Sequence, residues 1–257
     1  TTARSLTLAN HGSLVKTSLP TLRMPTLSAN PTPAKPSSPS TQETSMWLQP
    51  LGLTRDSTTW TYSLSNGHQF PISVTTLISA VTKTPQQIEA IMATKHVWEP
   101  RGNLLHQTLE AFVHQRWNPN PPELSAPPPG DYEPWVTPLL AHPIWDKVQA
   151  IGAEVMAYSL RRNVAGTADL VLKLPDGTYA IADLKTQGSK SASAYDTRPQ
   201  LGAGVEMIGD HYRLPITKCL TLWSRPGSLD IQTHTADECL QAWLDVCELY
   251  AERFRPF

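Results

Sequence analysis

The sequence predicts an α/β protein with a central mixed β-sheet flanked by helices, and three observations predict it. Apolar residues recur at helical spacing through residues 101–117. Three strand candidates, 153–160, 165–174 and 178–185, then follow in close succession. A helix at about 198–210, two strands near 217–223 and 229–234 and a closing helix from about 236 to 254 complete the pattern. Helices, a strand cluster, and then helix, strands and helix again are the order of a layered α/β domain.

Residues 1–46 are rich in Ser, Thr and Pro, and their few apolar residues follow no sustained period. Such a segment cannot bury enough surface to offset its chain entropy and is expected to be a disordered tail. Its charges are Arg4, Lys16, Arg23, Lys35 and Glu43, a net +3 in a chain whose total is −1. The folded domain is expected over 47–257. It opens with Trp60, Tyr62 and Leu64 alternating into an Asn66-Gly67 turn, a hairpin signal. Ser73 can cap a short helix through about Val81, and Thr84, Pro85 and Gln87 supply a cap, a first-turn proline and a capping-box partner for the next.

The stretch "RGNLLHQTLEAFVHQRW" sets Leu105, Leu109, Phe112 and Arg116 on one helical stripe, with His106, Glu110 and Val113 along the adjacent one. Proline density then forbids helix or central strand through "NPNPPELSAPPPGDYEPW", which reads as a surface loop near function or as an insertion. A further helix is expected from about 137 to 151.

A net charge of −1 gives no general basic footprint, so any nucleic-acid site has to be local. No apolar run approaches the roughly 18 residues of a membrane span. Cys219, Cys239 and Cys247 form no CxxC pair and no even-numbered framework, which fits a reducing, intracellular setting. The start of the chain carries no continuous apolar segment of the secretory kind, although its basic, Ser/Thr-rich character leaves a transit-peptide reading open. No GxxxxGK[ST] loop is present, which excludes a P-loop ATPase.

The most informative stretch is "AGTADLVLKLPDGTYAIADLKTQ", residues 165–187. Two apolar strands flank Pro175-Asp176-Gly177, where proline suits the first position of a type I turn and glycine a left-handed third position. A three-residue loop makes Leu174 face Thr178 and, counting back, sets Asp169 opposite Asp183, with Cβ atoms roughly 4.5–5.5 Å apart. A two-residue loop would put the carboxylates on different faces. Lys185, two residues beyond Asp183, shares its face. Two carboxylates this close repel one another. A hard divalent cation, magnesium by default, relieves that repulsion and polarises a phosphate, while a lysine alongside can orient or help deprotonate an attacking water. The plainer alternative is a surface hairpin with solvated charges. Against it, Ala180, Ile181, Ala182 and Leu184 make a buried strand, where charges are rare unless paired or ligated.

With these residues in view, the chain resembles the PD-(D/E)xK nuclease superfamily, in its RecB-type exonuclease branch, which takes in mitochondrial genome maintenance exonuclease and related phage and bacterial exonucleases. The resemblance runs over roughly residues 55–254, through "FPISVTTLISAVTKT", "RGNLLHQTLEAF", "AGTADLVLK", "IADLKTQ" and "YDTRPQL" in the family's order. It implies a restriction-endonuclease-like core and a Mg2+- or Mn2+-dependent deoxyribonuclease acting on DNA ends, with single-stranded DNA as the expected substrate, in replication, recombination or repair. Proteins of replication or recombination are the partners such an enzyme implies. The settings it implies are a bacterial or phage-infected cell or the mitochondrial matrix. It also implies Asp169 and Asp183 as metal ligands and catalytic carboxylates, the backbone carbonyl of Leu184 as a further ligand, Lys185 as the catalytic lysine and His106 as the branch's additional metal ligand.

Read alone, His106 is a helix-surface residue bonded to Glu110 one turn on. Glu154 falls near the family's upstream acidic position, and equally fits a solvated strand edge. Gln200 matches the glutamine of a QxxxY motif that frames the site and contacts DNA. Gly204 stands where that motif has tyrosine, so the contact either is missing or comes from elsewhere, as from Tyr195 or Tyr212. Thr186 either positions backbone or phosphate or simply ends a strand. Three widely placed cysteines cannot hold the four-cysteine iron–sulfur cluster of some relatives. An endonuclease of the same fold and a catalytically silent DNA-binding module remain the alternatives.

Overall fold

The computed structural model describes residues 46–189 and 191–254, so the expected tail, Met46 apart, lies outside the described residues. Strands β1 (Leu53–Arg55) and β2 (Tyr62–Leu64) form an antiparallel ribbon. The Asn66-Gly67 turn follows with Gly67 left-handed at φ 87°, and the chain returns antiparallel with the Phe70 N–H donating to Tyr62 at 2.9 Å. β3 (Ile72–Ser73) leads into α1 (Val74–Thr82), whose first turn is capped by the Ser73 hydroxyl accepting from the Thr76 N–H. α2 (Pro85–Ala93) begins with the expected Thr84/Gln87 capping box.

α3 (Lys95–Trp117) starts two turns before the expected segment and carries Pro100 in its second turn, where proline removes one helical N–H donor. Leu105, Leu109 and Val113 are buried together. Val113 therefore belongs to the core stripe rather than to that of His106 and Glu110, because it lies between the two around the helix and the buried arc reaches it.

The helix expected over 137–151 is α4 (Glu133–Leu140) instead. Pro134 fits its first turn, while Pro143 holds His142 extended at φ −69° and ψ 134° and stops the helix from continuing. A single 3-10 turn at Pro143–Asp146 then inserts Trp145 into the core, its indole N–H donating to the Leu139 carbonyl at 2.6 Å. β4 (Gln149–Ser159) follows, and β5 (Val164–Lys173) pairs antiparallel along its length.

β5 returns through Pro175-Asp176-Gly177 into β6 (Tyr179–Thr186), with Gly177 at φ 82° and the Leu174 N–H donating to Thr178 at 2.8 Å. The register runs Lys173↔Tyr179 to Leu170↔Ala182, as the three-residue loop requires. α5 (Arg198–Tyr212), β7 (Ile216–Arg225), β8 (Ser228–Thr235) and α6 (Ala236–Phe254) complete the chain.

The result is an α/β fold on a mixed six-stranded sheet, with β3–β5 and β6–β7 parallel and the other pairings antiparallel. β4 lines one edge of β5; β3 and β6 share the other, β3 at Val164 and Ala165 and β6 from Leu170 onward. On one face α1, α5 and α6 cover Val171, Ile181 and Cys219. On the other α3 and α4 cover Leu170, Leu172, Ala182 and Leu184. Each such aliphatic side chain contributes about 1.5–3 kcal/mol on burial. Gly202 lets α5 and α6 touch backbone to side: a Cβ there would lie 1.9 Å from the Cys239 carbonyl oxygen. All three cysteines are buried free thiols. No helix among the described residues is long and apolar enough to cross a membrane.

Candidate metal centre

The site forms where the β5–β6 ladder stops. Its last pair is Leu170↔Ala182, and one step further the register sets Asp169 against Asp183. There the strands part, and the Asp169 carboxylate takes the Leu184 N–H at 2.7 Å in place of a backbone partner. The N–H and C=O of one strand residue point to the same edge, so the Leu184 carbonyl opens toward the same gap. Asp169 and Asp183 are both buried, at 9% and 4% exposure.

From the other side of β5, β4 brings Glu154. A bulge between Ala150 and Gly152 shifts the β4 register by one, and Glu154, between the pairs Ala153↔Leu170 and Val155↔Ala168, falls opposite Asp169. Its φ of 47° is left-handed. A glutamate held there costs of order 1–3 kcal/mol, a strain that persists where surrounding structure imposes it and that clusters at functional sites. The residue sits in the middle of β4, an edge strand of the sheet, with its side chain 28% exposed.

His106 reaches the gap from α3. Its Nδ1 lies 3.4 Å from Glu154 Oε1 and 3.6 Å from Asp169 Oδ2. It makes neither a hydrogen bond nor an ion-pair contact with Glu110, contrary to the plain helix-surface reading. The ligand atoms of His106, Glu154 and Asp169 all lie within 4.8 Å of one another, and this group can hold a metal ion. One imidazole nitrogen and two carboxylates, with a strand carbonyl directed at the same gap, are a donor set suited to a divalent cation.

Asp183 faces elsewhere. Its Oδ1 accepts from Gln200 Nε2 at 2.7 Å and from Lys185 Nζ at 3.1 Å, and its Oδ2 lies 2.8 Å from the ammonium. That Oδ2 is buried and, despite the ionic contact, has no well-directed donor. The expected ligand set of His106, Asp169, Asp183 and Leu184 is therefore rearranged: Glu154 joins the cluster, and Asp183 borders it while held by Lys185 and Gln200. Gln200 accepts from Lys185 at 2.9 Å through Oε1 and so bridges the pair from the first turn of α5.

The charges shift one another. Burial pulls the His106 imidazole down, but Asp169, Glu154 and Asp183 outweigh it and leave its pKa raised to about 9. Burial pushes Asp183 up, the Lys185 ammonium pulls it back and Asp169 pushes it up again, for a net of about 6. Asp169 is likewise raised by burial, against the pull of His106. Burial opposes the Lys185 charge, yet the Asp183 carboxylate more than compensates and raises the ammonium above its ordinary range.

The remaining expected residues divide. Tyr195 is 58% exposed and stands edge-on to Trp223, with ring centroids 5.0 Å apart, on the strand pair that carries Lys185. Tyr212 is directed away from the site, its hydroxyl donating to the Gln49 carbonyl at 2.6 Å. At Gly204 a Cβ would meet Ile181 Cγ2 at 2.9 Å, so α5 lies too close to β6 there for any larger side chain pointing inward. Thr186 accepts from Arg101 Nε at 3.2 Å.

The cluster opens into a cleft of about 1040 Å³, flanked by Arg55, Trp60, Met92, Lys95 and Trp98. Trp60 and Trp98 are 57% and 37% exposed. Sequence reasoning missed this flank, and it missed Arg101. The signal for the Glu154 bulge was present in Gly152, since a glycine entering a strand marks such irregularities.

No protein-family model matches the chain, and no curated protein matches it. Among solved structures, one titled "Crystal structure of SSO0001" is similar at 12% identity, covering 69% of this chain and 75% of that one, with a TM-score of 0.38. A likeness that distant carries no functional argument.

Proposed function

We propose that this chain is a metal-dependent deoxyribonuclease of the PD-(D/E)xK type, RecB-like, hydrolysing phosphodiesters from DNA ends. The observation that carries the reading is the convergence of His106, Glu154 and Asp169 on one point, beside the ion pair of Asp183 and Lys185. His106, Glu154, Asp169 and the Leu184 carbonyl would hold a Mg2+ or Mn2+ ion, with Asp183 completing the set once the ion's charge competes with Lys185. A cation there supplies charge neutralisation and Lewis-acid activation of the phosphodiester.

The chain's own residues do the rest. Lys185, its ammonium stabilised by Asp183, keeps its proton at neutral pH. It therefore serves as a donor, orienting the attacking water and stabilising charge on the phosphate oxygens, rather than as a base. Water forms the new P–O bond and loses a proton to solvent, the bond to the leaving nucleotide oxygen breaks, and that oxygen takes a proton from solvent, so that one water is added across the phosphodiester. Gln200 fixes both members of the ion pair. Exposed Trp60 and Trp98 offer faces on which unpaired bases stack, which favours a single-stranded substrate.

End-labelled linear DNA and circular single-stranded DNA, incubated with magnesium, manganese or EDTA, test the proposal. Linear DNA should be degraded only with metal, and circular DNA should survive. Cleavage of circles would make the enzyme an endonuclease, and absence of any metal-dependent turnover would leave a silent DNA-binding module.

A further inference from the structure

We infer that Arg101 forms a phosphate subsite outside the metal centre; this rests on the nuclease reading for its substrate but not for its anion chemistry. Arg101 is only 7% exposed, yet among the described residues it has no carboxylate partner. A guanidinium carries five N–H donors, and protein satisfies one of them, Nε, through the Thr186 hydroxyl at 3.2 Å. The guanidinium carbon lies over the Trp135 ring, 5.3 Å from its centroid. Among the described residues neither Nη atom has an acceptor, and neither is sealed from solvent. Burial accordingly lowers the arginine's pKa, with no carboxylate to offset it.

A buried, oriented, unneutralised guanidinium is unfavourable unless an anion completes it. Its planar fork matches the oxygens of a phosphate. The surroundings leave room for one. Gly188 passes beside the fork with no side chain, a Cβ there lying 3.7 Å from Nη1. Thr186 adds a hydroxyl within reach. Arg101 sits five residues before His106 on α3, about 7.5 Å along the helix axis and roughly 140° around it, so the two side chains leave the helix on different sides. Arg101 is not among the residues that line the cleft, so the phosphate its fork would hold lies outside it, further along a bound strand than the scissile one.

The test uses the full chain in EDTA, so that no metal contributes, and titrates inorganic phosphate against sodium chloride of equal ionic strength. Wild type should show a saturable rise in Tm, and calorimetry should give a dissociation constant that weakens about tenfold or more in Arg101→Gln, the loss expected from one charge-assisted pair. Asp183→Asn should bind phosphate as wild type does. Should Arg101→Gln fail to fold, Arg101→Lys takes its place, since it keeps the charge and loses the fork, and phosphate affinity equal to wild type in it overturns the subsite. Retention of phosphate binding by a folded Arg101→Gln overturns it too. On DNA, the variant should raise KM for oligonucleotides about tenfold. It should match wild type on thymidine 5′-monophosphate p-nitrophenyl ester, which has no neighbouring phosphate. A merely structural arginine would impair both substrates alike. If wild type hydrolyses no DNA but binds phosphate through Arg101, the nuclease reading falls and the anion site stands.

Discussion

Metal binding should displace a proton from His106, and the pH dependence of affinity should reveal it. In the metal-free chain the imidazole pKa is raised from 6.5 to about 9 by the surrounding carboxylates, after burial has pulled the other way. The ligand form is neutral, so a cation competes with the proton. At pH 7 a pKa of about 9 weakens apparent affinity about 100-fold at most, and each pH unit up to 8.5 recovers about tenfold. That is an upper bound, because the His106 side chain is 33% exposed and solvent screens part of the effect. An unperturbed imidazole would change affinity by less than about 1.5-fold over the same range. The raised pKa also stabilises the metal-free fold below about pH 6.5 and ceases to do so as pH climbs through about 9. Manganese-induced Tm shifts should therefore grow from pH 7 to 9. Calorimetric manganese titrations at pH 6.5, 7.5 and 8.5, each in two buffers of different ionisation enthalpy, should report close to one proton released at pH 7.5. A flat affinity profile with no proton release would refute the placement of His106 among the ligands.

Asp183→Ala should abolish turnover but, contrary to a reading based on carboxylate repulsion alone, should also destabilise the fold by about 3 kcal/mol in urea unfolding, because it strands the Lys185 ammonium. Wild-type stability in that variant would show the ion pair to be unimportant. Lys185→Met should keep manganese affinity near wild type while lowering kcat about 100-fold or more; loss of metal binding would make the lysine structural. His106→Ala should lose more activity in manganese than in magnesium, since an imidazole nitrogen suits the softer ion, and equal activity of variant and wild type in manganese would remove it from the site. Gly202→Ala, whose methyl would meet the Cys239 carbonyl, should cost about 3 kcal/mol or more on thermal unfolding; an unchanged Tm would mean that α5 and α6 separate freely.

The sequence by itself determined what short-range rules govern. Turn chemistry at Pro175-Asp176-Gly177 set the β5–β6 register, the register set Asp169 against Asp183, and the two-residue period of a strand put Lys185 beside Asp183. The caps at Ser73 and Thr84 were legible for the same reason, since each depends on residues three positions apart. Where local signals compete, the reading slipped. Prolines at 134 and 143 moved the helix start earlier and its end to Leu140, against an apolar pattern that alone extended to 151.

Tertiary structure decided which side chains share the metal centre. His106, Glu154 and Asp169 come from a helix on one layer and from two strands of the sheet, and no periodicity relates them. Glu154 reaches the site only because the β4 bulge shifts its register by one residue and its backbone adopts a left-handed conformation. Arg101 is unusual only once Trp135 and Thr186 enclose it without a carboxylate. The division has one physical cause. Turn and pairing geometry is fixed by the torsions of a few neighbouring residues, whereas the company a charge keeps depends on how helices and strands pack across the whole domain.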